Sequence, residues 1–286
     1  MHIDEIKDDP EFAVMTDYGR LYLRPEDVPF KSELLKDVRQ SILDGKLLPS
    51  VTNVLGVRDK PFLGPWIAKV VATEAVNLAN NFPQRMKEAP DAAIRYLKGL
   101  ATKDRDTAAL QGSKVHRTAE TLALGHEMPT GLSPTEMFYV DKWKQWRSEW
   151  QPEFLEVEAT FIGDGYAGTA DFVAKIMGHT VIGDLKTTRS GLHIDLSLQL
   201  SALANASHMI SNGKTIENPY RMEAGLGVHL STQAYHVKQA SISGQTWEVF
   251  KNLRDTWNFH VFEGQLDNGD YAISGIIKDP SGITFS

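Results

Sequence analysis

The sequence predicts an α/β protein, with a central mixed β-sheet flanked by helices and a mainly helical N-terminal part. Two observations carry this. Up to about residue 150 the apolar positions recur at helical spacing. From residue 153 the texture changes to β-branched runs separated by glycine-containing turns. Helix and strand patterns then alternate to about residue 260, as in one sheet covered by helices. No repeat, low-complexity tract or linker interrupts the 286 residues. They read as one unit, with residues 1–150 as the helical part and 151–286 as the sheet core.

In chain order, FAVMTDYGRLYL over 12–23 alternates and turns at Tyr18-Gly19, which predicts a hairpin. KSELLKDVRQSILD over 31–44 has helical spacing and stops at Gly45. Pro49-Ser50-Val51-Thr52 breaks the chain before a helix from about Leu63 to Asn80. Ser50 and Thr52 serve there as a helix cap or as phosphate contacts, with capping favoured. Helical patterns follow over 91–100, 105–124 and 134–150. The last carries Trp143, Trp146 and Trp150, a core stripe in preference to a base-stacking platform. LEVEATFI, GTADFVAKI and TVIGDLKT read as three strands. A helix over about 193–211, a strand over 226–238 and a helix over 246–260 complete the pattern.

Composition narrows the chemistry. Without cysteine there is no disulfide, thiolate zinc site, iron–sulfur cluster or cysteine nucleophile, which fits a reducing, cytoplasmic setting. No apolar run approaches the roughly 18 residues of a membrane span, and the acidic start MHIDEIKDDPEF is unlike a secretory signal. The net charge of -7 argues against a protein that coats nucleic acid. It is compatible with a carboxylate-rich site that acts on nucleic acid locally.

The three strands converge on one constellation. If Met177-Gly178 forms a two-residue type I′ turn, Ile176 pairs with His179 and Asp171 falls opposite Asp184. Lys186, two residues on, projects from the same face as Asp184. If Gly163-Asp164-Gly165-Tyr166 turns so that Ile162 meets Ala167, Glu158 falls opposite Asp171. Facing carboxylates repel by roughly 0.2–1 kcal/mol, and a hard divalent cation with oxygen ligands removes that conflict. Such a cation acidifies bound water and stabilises phosphoryl charge, while a lysine orients the water and offsets negative charge. Spacing alone serves equally a solvated ion pair between Lys186 and an acid on a surface sheet.

Gly168-Thr169-Ala170-Asp171 followed by Ile182-Gly183-Asp184-Leu185-Lys186-Thr187 resembles the signature of the PD-(D/E)XK nuclease superfamily, with its restriction-endonuclease-like core. More narrowly, the set is similar to the RecB-like exonuclease branch and its CRISPR-associated relatives. Gly112-Ser113-Lys114-Val115-His116 resembles that branch's helical histidine motif, and Gln199 in SLQLSALANA its glutamine. Pro49 to Thr52, with Lys60-Pro61 and Trp66, resembles phage members. The resemblance implies His116, Asp171, Asp184 and the Leu185 carbonyl as ligands of Mg²⁺ or Mn²⁺, with Lys186 catalytic and Glu158 assisting. It implies Gln199 as a substrate contact. Ser50 and Thr52 are read as phosphate contacts only as the alternative to capping, and Arg189, just after the third strand, reads equally as a phosphate contact or as part of a solvated loop. Leu203 stands where the family often has a tyrosine, and the cluster-binding cysteines of some relatives are absent.

The expected function is metal-dependent DNA hydrolysis, from an end in preference to internally, in phage or mobile-element replication, recombination or repair. DNA, with recombination or replication proteins, would be the partner, in the host cytoplasm if phage-encoded, with no membrane contact. An endonuclease on the same core and a non-catalytic DNA-binding or assembly protein are the alternatives. Gly163-x-Gly165-x-x-Gly168 matches a dinucleotide fingerprint formally, but an alternating strand follows it where that motif needs a helix. His126, His193, His208, His229 and His236 receive no role.

Overall fold

The computed structural model describes residues 1–5, 12–61, 63–78, 84, 87–188 and 191–262. Among the described residues ten strands build two sheets. β1 (Ala13–Thr16), β2 (Gly19–Tyr22) and β3 (Leu48–Pro49) make a small antiparallel sheet. The main sheet holds β4 (Glu153–Gly163), β5 (Tyr166–Ile176), β6 (His179–Lys186), β7 (His208–Ser211), β8 (Lys214–Glu217), β9 (Ala224–Leu230) and β10 (Tyr235–Ala240). Its spatial order is β10-β9-β6-β5-β4-β7-β8. Only β6 and β9 run parallel and the other pairs are antiparallel, so the sheet is mixed, as predicted.

The helices are α1 (Lys31–Leu34), α2 (Val38–Leu43), α3 (Val51–Leu55), α4 (Leu63–Asn77), α5 (Pro90–Ala123), α6 (Pro134–Trp150), α7 (Asp195–Ala204) and α8 (Gly244–Val261). No helix among the described residues is long and apolar enough to cross a membrane.

Several boundaries differ from the sequence reading. The first hairpin turns at Asp17-Tyr18, because Thr16 pairs with Gly19. The helix expected over 31–44 is broken after Leu34, and Asp37 caps α2 by accepting from the Gln40 N–H at 3.0 Å. The two pieces expected over 91–124 are one helix. The helix expected over 193–211 ends at Ala204, and 208–211 is an added sheet strand. The single strand expected near 226–238 is the hairpin β9–β10.

Among the described residues, two large cores cover the main sheet, one on each face, and a smaller cluster of Tyr22, Leu48, Ile162 and Ala167 joins it to the small sheet. The first gathers Val54, Phe161, Val173, Ile182, Leu200 and Phe250 beneath α3, α7 and α8. The second gathers Val115, Trp143, Trp146, Phe172, Val181, Leu185 and Val228 beneath α5 and α6. Trp143 and Trp146 are therefore core, while Trp150 is exposed. The Phe172 ring lies over Gly183 on the neighbouring strand: a Cβ at 183 would stand 1.9 Å from Phe172 Cζ. That overlap is the physical reason for glycine in the middle of Ile182-Gly183-Asp184.

Candidate active site

The Met177-Gly178 turn has φ of 52° and 86°, as a type I′ turn requires, and Ile176 pairs with His179. The ladder ends at Phe172 opposite Gly183, and Asp171 and Asp184 are the next residues on the two strands. Asp171 Oδ2 accepts the Leu185 N–H at 2.5 Å. Asp184 and Lys186 share a face, and Lys186 Nζ lies 2.6 Å from Asp184 Oδ2.

Two helices complete the group. Gly112 on α5 has no side chain to hold the helix off β6, since a Cβ there would stand 2.9 Å from Thr187 Oγ1. That close approach brings His116, one turn on, to the sheet, with Nδ1 3.4 Å from Asp171 Oδ2. From the opposite face, Gln199 on α7 donates its Nε2–H to Asp184 Oδ1 at 2.8 Å.

The β4–β5 hairpin changes faces at this point. Ala159 and Ala170 pack in the first core, yet Phe172 lies in the second and lines a cavity there with Val157. Strict alternation would put all four on one face. The reversal falls at Glu158 and Asp171, and Glu158 has φ of 51°. A left-handed backbone costs a non-glycine residue about 1–2 kcal/mol, and such outliers gather at functional sites. His116, Glu120, Glu158, Asp171 and Leu185 line the same cavity, whose volume of about 10 Å³ is near that of one water.

The four central groups set one another's charge. Burial acts against ionised Asp171, but His116, Lys186 and the Leu185 N–H outweigh it and hold its carboxyl below the ordinary range. Asp184 is only 2% exposed; burial, with the charge of Asp171, raises its carboxyl despite Lys186. Burial disfavours charged His116, but Asp171 and Asp184 prevail and raise it above 6.5. Lys186 is raised in the same way by Asp184 and Asp171.

Two carboxylates, an imidazole and the cavity-lining Leu185 fit a hard divalent cation in kind. Asp184 Oδ2 is buried and faces the Lys186 ammonium at 2.6 Å, while Oδ1 accepts from Gln199. The arrangement is pairwise, however. Among the described residues no three His, Asp or Glu side chains are gathered so as to hold a metal. A bound cation would have to share Asp171 with His116 and Asp184 with Lys186.

The remaining predicted contacts fare differently. Ser50 is buried and caps α3, its Oγ accepting the Asn53 N–H at 3.0 Å, which is the capping role the sequence favoured. Thr52 is exposed on α3, and Arg189 lies outside the described residues. Gln199 is turned onto Asp184, so the structure makes it a support of that carboxylate. Leu203, in place of the tyrosine, is buried in the first core. Sequence reasoning missed the pairing of Arg58 and Lys60 with Asp195 at the start of α7, which ties the segment after α3 to the helix bearing Gln199. The signal available was the basic cluster Arg58-Asp59-Lys60.

Compared with known proteins, the chain matches no family model and no curated sequence.

Proposed function

We propose that this chain is a divalent-metal-dependent nuclease that hydrolyses DNA phosphodiesters, in preference from an end, as its resemblance to the RecB-like branch implies. The observation that carries the reading is the buried Asp184 carboxylate, held between Lys186 and Gln199 beside the His116–Asp171 pair. Ion pairs made only for stability seldom bury a carboxylate beside a second one.

His116, Asp171, Asp184 and the Leu185 carbonyl would hold Mg²⁺ or Mn²⁺. When bound, the metal supplies an acidified water and a counter-charge for phosphoryl oxygens. The Lys186 ammonium has three donors and no lone pair, so it can orient water and neutralise negative charge. Gln199 fixes the rotamer of Asp184, and the Leu185 N–H fixes Asp171. Glu158, lining the cavity from the kinked strand, adds a third carboxylate beside the reacting centre. A role in phage or mobile-element replication, recombination or repair accompanies this reading.

A non-catalytic DNA-binding or assembly protein is the second reading, favoured by the absence of a gathered three-ligand set among the described residues. Incubating end-labelled linear DNA and covalently closed circles with Mg²⁺, Mn²⁺ or chelator separates the possibilities. An exonuclease shortens only the linear DNA in metal, an endonuclease opens the circle, and a binding protein leaves both intact.

A further inference from the structure

The candidate lysine stands at one end of a row that crosses three strands. In the parallel ladder Lys186 lies beside His229, and in the antiparallel ladder His229 lies beside His236 on the edge strand β10. Leu185 and Val228, the preceding pair, both face the second core, so Lys186 and His229 both face the opposite side. Neighbouring strands are about 4.8 Å apart, so the row leads stepwise from the buried centre to the rim. Its exposure rises along the way: His229 is half-buried and His236 exposed. The two imidazoles are nearly parallel, with an interplanar angle of 14° and centroids 6.3 Å apart. His229 Nε2 lies 2.7 Å from the Thr188 carbonyl, just past Lys186, which fixes that ring beside the site. Lys238, two residues beyond His236, projects from the same face and is exposed.

The strip itself carries no acidic residue, although the chain as a whole is acidic. Residues 224–247 contain no Asp or Glu, although the protein has 37 such residues and a net charge of -7. A polyanion approaching the carboxylate-rich centre needs a path free of like charge, and close phosphate contacts dominate nucleic-acid affinity. Imidazole offers both a donor N–H and a face on which a base can stack.

We propose that the β9–β10 edge, through His229, His236 and Lys238, seats the DNA strand flanking the scissile phosphate. This rests on the nuclease reading and adds the route by which substrate leaves the centre. It separates two kinds of residue, those at the centre that act on the bond and those on the rim that hold the strand.

The test uses the full chain with His236→Ala and Lys238→Gln, singly and together. Both side chains are exposed, and unchanged melting temperatures confirm that the variants fold. Binding of fluorescein-labelled DNA in chelator should weaken by about tenfold in the double variant, and the slope of log affinity against log salt should fall by about one. In metal, KM should rise while kcat at saturating DNA stays within about twofold of wild type. Wild-type affinity and KM in the double variant would overturn the strand route while leaving the nuclease reading intact. A fall in kcat at unchanged KM would also overturn it, by placing these residues in the chemistry. A wild-type protein that neither binds nor cuts DNA would overturn both.

Discussion

Gly183→Ala tests how tightly the strand carrying Asp184 is packed. The new methyl would lie 1.9 Å from Phe172 Cζ, far inside contact distance, and the closest atoms all belong to that ring. The ring is held among other aromatic side chains, and the cavity it lines, about 10 Å³, is too small to take it. It packs against Trp146 at a centroid distance of 5.5 Å and edge-on against Phe154 at 5.9 Å, inside the second core. Overpacking a close-packed core costs about 1–3 kcal/mol, and each disturbed aromatic pair adds about 0.5–1.5 kcal/mol. The expected loss is about 2–6 kcal/mol, or roughly 5–20 °C in melting temperature. Urea unfolding followed by tryptophan fluorescence measures it, since Trp146 sits in the affected cluster. Phe172→Leu provides the internal check, because in that background Gly183→Ala should cost less by more than about 1 kcal/mol. A Gly183→Ala protein within about 0.5 kcal/mol of wild type would refute the packing argument.

Three further predictions concern the site. His116→Ala should lose activity that raised Mn²⁺ partly restores, whereas Lys186→Ala should not respond, because imidazole can ligate a metal and ammonium cannot; Mn²⁺ titrations of cleavage rate compare the two. Gln199→Ala should lower metal affinity or activity by about 10–100-fold with the fold retained, as removal of a carboxylate's supporting donor does; an unchanged apparent metal constant would remove that role. His116 is raised above 6.5, so its proton stabilises the metal-free fold below that pH, an effect lost as pH rises through the raised value. The metal needs the neutral ring, so Mn²⁺ affinity should rise with pH through and above 6.5 with release of a proton, and calorimetry in buffers of different ionisation enthalpy would detect it.

The site was more legible in the sequence than the elements around it. Turn chemistry at Met177-Gly178 sets one register, and the β4–β5 turn, Asp164-Gly165 where the sequence predicts four residues, keeps the predicted pairing of Ile162 with Ala167. Counting from the turns thus brings Glu158, Asp171 and Asp184 to neighbouring positions on adjacent strands. Counting could not reveal that the hairpin changes faces there, because nothing about a glutamate signals the φ of 51° at residue 158. The overrun of α7 has a local cause: apolar residues continue through His208-Met209-Ile210, and a short run cannot say whether it extends a helix or adds a strand. The break after Leu34 arises from Asp37, whose side chain caps a new helix inside a stretch that also satisfies helical periodicity. Gln199 was found by its position on the helix, but its hydrogen bond to Asp184 depends on the packing of α7 on the sheet, which is a tertiary fact.

The most direct measurement of the central claim compares the wild-type protein and Asp184→Asn on end-labelled linear DNA in Mg²⁺, Mn²⁺ and chelator. Asparagine keeps the volume of the side chain and an oxygen to accept from Gln199, but removes the charge facing Lys186 and the anionic ligand. Metal-dependent cleavage by the wild type, with a loss of at least about a hundredfold in a folded Asp184→Asn protein, is the expected result. Cleavage at wild-type rates by Asp184→Asn, or none by the wild type in either metal, would contradict the assignment of this centre as a nuclease site.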